Sequence, residues 1–417
     1  MASMAQAPAA ESKPARVHNF SAFQFPNFRL YFIGQTISIS GSWMQIVAQG
    51  WLVFELTKNE LWLGLVACAA GLPSLILSPL AGVLVERIHT RKLLLITQTM
   101  QMFLALALAL LTFSNTVQVW HIMVLAFLLG ITNAIDAPSR QAIVADLVDR
   151  EHLPSGIAMN SIIFNLSRVI GPVIGGILLT KVGPAWCFLI NGLSFIAVLF
   201  TLYKMQVAIR PRTLMAFAPI KQLKEGLQFA RKHHTIAPLL LLAVAAALFT
   251  NNISTLLPAF ADTVLHSPKE AYADITTAIG VGAVIAGLIM NLMGKWLGRG
   301  RVVGLMVIFV TISAFAFSTT ATETPAIIFA GLYGFGIILQ FVTVNTLIQS
   351  EVPDAFRGRV LSLYTLSWFG IAPFGALLMG GVASVIGTPT TIGLTAVLGG
   401  MMSIFVLLRW PAARQLA

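Results

Sequence analysis

Apolar residues occupy this chain in long blocks separated by short polar breaks, and within a block they do not show the two-residue alternation of a half-buried strand. A helix needs about 20 mostly apolar residues to cross about 30 Å of hydrocarbon. Twelve blocks meet that length, at approximately 30–55, 61–85, 93–114, 119–140, 157–180, 184–203, 238–260, 274–293, 302–320, 325–348, 360–386 and 389–408. In lipid every backbone amide needs an internal partner, so blocks this long and unalternating are helices rather than barrel strands. The pattern predicts an all-α membrane protein with twelve transmembrane helices.

The breaks between blocks are uneven. Lys and Arg are retained in cytoplasmic loops. With the amino terminus inside, 22 of the 26 basic residues fall on that side, Lys58, Lys181 and Lys269 fall on the other, and Arg168 is left within a block. An even helix number with both termini cytoplasmic is the consistent arrangement. Trp51, Trp62, Trp120 and Trp186 are then expected near the outer boundary, and Trp296 and Trp410 near the inner one, as an interfacial belt.

The longest break, 205–235, is a basic cytoplasmic linker that divides the chain. The expected order is a cytoplasmic tail (1–27), a six-helix bundle (28–204), the linker, a second six-helix bundle (236–409) and a cytoplasmic tail (410–417). Ile220, Leu223 and Leu227 give the linker an apolar stripe at helical spacing, so KQLKEGLQFARK is expected to lie along the inner membrane surface. HNFSAFQFPNF (18–28) is either a second surface-lying segment or an irregular entry into the first helix. The halves echo each other: DREHLPSGIAMNS followed by GPVIGG aligns, about 202 residues on, with PDAFRGRVLSLY followed by APFGALLMGG. Such pseudo-symmetry is typical of transporters that rock two repeats about a midplane site.

Composition narrows the function. Only 10% of the 417 residues are charged and 57% are hydrophobic, against about 25% charged in a soluble domain, which leaves too little polar cover for an aqueous fold. The net charge of +11 is spread between apolar blocks rather than gathered into a basic patch with interleaved aromatics, so no nucleic acid is expected as a partner. Cys68 and Cys187 alone make neither a disulfide framework nor a metal site. Residues 1–27 lack the pattern of a secretory leader. GLYGFG (331–336) is a scrambled glycine set inside an apolar block, GLIMNLMGKW has the wrong spacing for a nucleotide loop, and His233 and His234 have no acid pattern around them. No cofactor, no metal and no enzymatic chemistry are expected.

The loop GVLVERIHTRK (82–92) carries Gly82, Glu86, Arg87, Arg91 and Lys92. Read by spacing, these charges either bridge neighbouring helix ends or only fix topology. The loop resembles the signature between helices 2 and 3 of the major facilitator superfamily, with Glu86 in place of Asp and His89 in place of a Gly. NAIDAPSRQAIVADLV (133–148), FNLSRVIGPVIGG (164–176) and EVPDAFRGRVLSLY (351–364) are similar to the branch of that superfamily that contains the enterobactin exporter and drug efflux proteins. The resemblance implies two pseudo-symmetric six-helix bundles in a bacterial inner membrane. It also implies a small-molecule substrate, a proton or other coupling ion, and a monomer in the lipid bilayer. The loop would lock an inner gate together with Asp136, four residues before Arg140, and GKWLGRGR (294–301) would be its counterpart without a carboxylate. GPVIGG resembles the antiporter signature of helix 5, although Ser167 replaces its first Gly. Gly171, Pro172, Gly175 and Gly176 then form either a pivot between the bundles or ordinary close packing of two helices.

Arg168 lies near mid-membrane by counting, where a charge costs at least about 2.5–3.5 kcal/mol. Its partner is either Asp136 with helix carbonyls or an anionic ligand. Ser42, Gln45, Asn133, Asn165, Asn251, Asn252, Gln340 and Trp368 are at similar depth. Each is a wall residue of a substrate cavity or part of an interhelical contact. Asp136 is also the proton-coupling candidate, being the one acid within a span. The reading is a secondary active exporter of small amphipathic, drug- or siderophore-like molecules that works by alternating access. The alternatives are a lysophospholipid flippase on the same fold and a non-transporting membrane receptor or scaffold.

Overall fold

The computed structural model describes residues 20–205 and 219–414; the parts of the expected tails and linker at 1–19, 206–218 and 415–417 lie outside the described residues. Among the described residues there are α- and short 3-10 or π-segments and no strand. The first half contains α1 (Pro26–Thr57), α2 (Glu60–Arg87), α3 (Thr90–Phe113), α4 (Val119–Leu147), α5 (Leu153–Lys181) and α6 (Pro184–Lys204). A short helix, α7 (Pro219–Lys232), leads into the second half: α8 (Ile236–Ala245), α9 (Ile253–Thr263), α10 (Pro268–Leu297), α11 (Arg299–Ser318), α12 (Glu323–Glu351), α13 (Asp354–Thr365), α14 (Ala372–Ile386) and α15 (Thr388–Arg409).

Local chemistry sets these boundaries. Proline at the first turn starts α1, α6 and α15, where its missing N–H costs nothing. Asn59 caps α2 by accepting from the Leu61 amide at 2.8 Å. Gly183 and Gly387, with φ of +91° and +83°, make the reversals into α6 and α15 at equivalent points of the two halves, a conformation that side chains disfavour.

Among the described residues eleven stretches are long and apolar enough to cross a membrane, counting Ile236–Thr263 and Phe356–Ile386 as one each. The twelfth expected span, α1, is not among them. At 32 residues it extends about 48 Å, ample for a crossing. Three glutamines and three serines between positions 35 and 49 lower its mean hydropathy, and Gln35, Ser38 and Gln45 are buried against other helices instead of facing lipid.

Two expected spans are interrupted. A π-turn at 246–250 separates α8 from α9 and another at 366–370 separates α13 from α14. Such turns leave carbonyls short of helical partners and cluster at functional sites. Here the two interruptions pack against each other.

The halves repeat one packing plan. α2 packs on α4 as α10 packs on α12, α3 on α6 as α11 on α15, and α1 on α5 as the α8–α9 span on α14. Across the seam α2 meets α14 and α5 meets α10, a pair of contacts that exchange when each span is replaced by its counterpart. One end of the molecule carries the start of α1, the end of α6, α7 and the end of α15; it is called here the linker face, and the opposite end the far face. Ala22 of a short 3-10 turn (Ser21–Gln24) donates to Ser155 Oγ at 3.1 Å, so the phenylalanine-rich tail docks on the start of α5 at the linker face.

The seam is closed at the far face. α14 packs on α2, whereas α13, its continuation toward the linker face, packs on α7, α8 and α12. The bundles therefore part toward the linker face. Trp51, expected in an interfacial belt, is 2% exposed, lies under this closure and faces the Tyr272 ring at 6.3 Å. Trp120, Trp186 and Trp296 are exposed.

Candidate functional site at the seam between the bundles

Without a hydrophobic drive between helices in lipid, close backbone approach carries association. A Cβ added at Gly64 would stand 2.7 Å from the Ala376 carbonyl oxygen, and one at Gly380 would stand 2.9 Å from Gly64 Cα. Gly71 meets the Pro373 ring in the same way. On the other side of the seam Gly176 meets Ala273, and a Cβ at Gly280 would be 3.0 Å from the Arg168 carbonyl oxygen. Polar pairs finish the closure. Lys58 Nζ lies 3.1 Å from Asp262 Oδ2, and Thr388 Oγ1 donates to Glu60 Oε1 at 3.0 Å.

GPVIGG divides its contacts between the two halves. Gly171 and Gly175 pack on α1 of the same half, against Ser40 and Met44, while Gly176 reaches α10 of the other. Pro172 is buried within an α5 that runs on through it. The motif packs α1 and touches the seam at once.

Arg168 stands beside that seam. Its guanidinium lies 5.5 Å from the Trp43 ring centroid, a cation–π contact. Tyr333 of α12 is near enough to interact with it electrostatically and donates its own hydroxyl to the Thr250 carbonyl at 2.6 Å. Thr250 ends the first π-turn, so Tyr333 links the interrupted span to the neighbourhood of Arg168. Among the described ion pairs none involves Arg168.

Asp136 is elsewhere, fully buried within the first half. Oδ1 accepts from Thr97 Oγ1 and Gln98 Nε2, both at 2.8 Å. Arg140 Nε lies 2.9 Å from Oδ2, off the line of a good hydrogen bond, and so pairs with it mainly by charge. Ser38 donates to Gln98 Oε1 at 3.3 Å and Gln101 donates to Asn133 Oδ1 at 3.1 Å, which extends a polar seam through α1, α3 and α4. Asp136 and Arg168 are not paired.

The other expected residues scatter. Gln45 accepts from Asn191 of α6 at 2.6 Å, inside the first bundle. Ser42 and Asn165 bond to carbonyls of their own helices, those of Ser38 at 3.0 Å and Ser161 at 2.8 Å. Asn252 donates to the Ala247 carbonyl at 2.6 Å and the Asn251 amide closes the same π-turn onto Ala246 at 2.7 Å. Trp368 is buried with its ring 4.8 Å from that of Phe341, and Gln340 is buried on α12.

Of the loop after α2, Arg91 donates to the Leu202 and Tyr203 carbonyls, both at 2.7 Å, and so caps α6. Arg87 and Lys92 are exposed, and of Gly82 and Glu86 the structure describes only the helical backbone. Sequence reasoning did not single out Trp43, Tyr333, Gly64 or Gly380 as site residues. Aromatics and glycines in apolar runs look like any packing residue. Lys58 and Glu60, flanking the capping Asn59, carried a usable signal as charges at a tight far-face turn.

Two like bundles of membrane-crossing helices, joined by a linker and closed at one end of a shared seam, define the transporters of the major facilitator superfamily. The profile of the family described as transmembrane secretion effector matches residues 17–415, and the chain belongs to that family. It is 28% identical over 378 residues to the staphyloferrin A transporter of Staphylococcus aureus, covering 88% of this chain and 92% of that one. It is 24% identical over 401 residues to the enterobactin exporter EntS of Shigella flexneri, covering 94% of each. Among solved structures, the D-xylose–proton symporter shares the fold with a TM-score of 0.72 at 15% identity, over 91% of this chain and 96% of that one. The chain is thus a multi-pass membrane transporter of the major facilitator type, similar over most of its length to proteins named for siderophore transport.

Proposed function

We propose that this protein is a monomeric secondary active exporter in a bacterial inner membrane. It carries small amphipathic molecules that bear an anionic group, by alternating access. In this reading the linker face and both termini are cytoplasmic, and the arrangement described is the inward-open state awaiting cargo. The observation that carries the reading is Arg168, a mid-span cation at the seam, held by an aromatic ring and by no described carboxylate. A carboxylate or catecholate group supplies the charge it lacks. The names of the siderophore relatives agree with such cargo.

Export against a gradient needs a driving force, and the proton gradient is the proposed one. Asp136 is the coupling candidate. Thr97 and Gln98 donate to Oδ1 and Arg140 faces Oδ2, so a proton carried on Oδ2 would cancel the charge that holds Arg140, which ties coupling to release of that ion pair.

Reconstituted protein tests both parts. Flux of a carboxylate or catecholate siderophore into inverted vesicles is expected to rise with an imposed pH gradient. Arg168→Ala is expected to abolish it with folding unchanged, and Arg168→Lys to retain part of it. Undiminished flux in Arg168→Ala would remove the assignment; flux indifferent to the gradient would remove proton coupling and favour lipid movement or facilitated diffusion.

A further inference from the structure

The side of α7 turned away from the protein has no role in the reading above. Its inner side docks on α13 through three contacts. Phe229 stacks on Phe356 with centroids 4.4 Å apart and planes 10° from parallel. Arg359 Nη1 lies 3.2 Å from Glu225 Oε2. Gly226 lets the backbones close up, since a Cβ there would be 3.2 Å from the Arg359 carbonyl oxygen. Residues 225, 226, 229 and 230 thus share one side of the helix, as the 3.6-residue period requires.

The opposite side is laid out in order around the helix. Leu223 and Leu227, 39% and 40% exposed, form one edge. Going round at 100° per residue, Arg231, Lys224, Gln228 and Lys232 follow, all exposed. Two exposed leucines bordered by three cations match a helix that rests at the boundary between headgroups and acyl chains. The cations ranked beside the leucines give this face the charge that an anionic headgroup layer complements. We propose that this side of α7 binds the headgroups of anionic phospholipids in the leaflet at the linker face, and that the bound lipid steadies α13 through Phe229 and Glu225.

The link to α13 gives binding a consequence. α13 runs into the π-turn at 366–370, and Gly370 of that turn meets Leu75 of α2 across the seam. A helix held to the leaflet by α7 therefore resists the swing that brings the linker-face halves together. Anionic lipid favours the arrangement seen here if it binds α7 better in this state than in the closed one.

The test uses the full chain in nanodiscs of phosphatidylcholine with and without phosphatidylglycerol. Amide exchange at 223–232 is expected to slow when phosphatidylglycerol is present, and high salt is expected to reverse the effect. Each cation near an anionic surface adds about five-fold to association, so the triple variant Lys224→Gln/Arg231→Gln/Lys232→Gln is expected to lose the response. Spin-label distances between the linker-face ends of α13 and α2 should sharpen around the open value in phosphatidylglycerol. Phe229→Ala with Glu225→Gln should keep the exchange response and lose the sharpening. Equal exchange in the two lipids would overturn the lipid site, as would an undiminished response in the triple variant or protection that appears only when a protein extract is added. A sharpening that survives Phe229→Ala with Glu225→Gln would overturn the link to α13.

Discussion

A buried carboxylate held by three groups is costly to remove because its partners lose their charge or hydrogen-bond partner with it. Asp136 is 0% exposed and Arg140 only partly so. Asp136→Ala is therefore expected to lower stability by about 3–5 kcal/mol, read as a fall in the melting temperature of the detergent-solubilised protein. A fall no larger than that of an exposed Asp→Ala control, such as Asp149→Ala, would contradict the buried network. Arg168 was legible from sequence because any charge in an apolar run must be explained. Its setting was not: Trp43 and Tyr333 are aromatic residues among many, and only the fold brings them to it from α1 and α12. Nor was the separation of Arg168 from Asp136, since depth by counting says nothing about which way two helices face.

At the scale of elements, the far-face closure joins backbone contacts to one exposed ion pair. Side chains of Lys58 and Asp262 are 58% and 25% exposed, so the pair contributes at most about 1 kcal/mol to closure and less in high salt. Lys58→Ala should shift the population toward far-face opening by no more than about five-fold, measured by spin-label distances across α1 and α9, and the exchange Lys58→Asp/Asp262→Lys should restore it. Gly64→Val is expected to act more strongly, because the Cβ would strike the Ala376 carbonyl oxygen at 2.7 Å and backbone cannot step aside. That variant should fold, stay open at the far face and fail to transport; a normal far-face distance would contradict the role given to Gly64. The spans themselves were legible from block length, and the amphipathic stripe of α7 from its period. The π-turns were not, because AALFT and LSWFG hold no proline and read as continuous helix. Asn251 and Asn252 marked the first of them without revealing it. They secure the turn by bonding to Ala246 and Ala247.

For the whole molecule, the repeat of packing between the halves was visible as a faint echo of sequence, yet the halves differ in kind. The first half keeps its spans continuous and threads them with a polar network from Ser38 to Asp136. The second half places both π-turns side by side. In the proposed alternating-access cycle the first bundle is expected to move as a block and the second to bend at 246–250 and 366–370. Tyr333→Phe removes the hydroxyl that steadies the Thr250 carbonyl, a loss of about 1–3 kcal/mol for a buried acceptor left bare. Faster amide exchange at 246–253 with unchanged exchange in α3 and α4 is the expected result, and uniform change across both halves would contradict it.

Where Gly64 faces Gly380, main chain lies against main chain with no side chain between them. A plug made of a swinging residue can flicker and let a solvated ion slip by while the rest of the protein stands still. A seam of bare backbone has no such loose part: it is watertight until entire helices separate. Leakage through the far face is therefore expected to be an all-or-nothing event, and a transporter in an energised membrane gains by having its smallest residue at its tightest point.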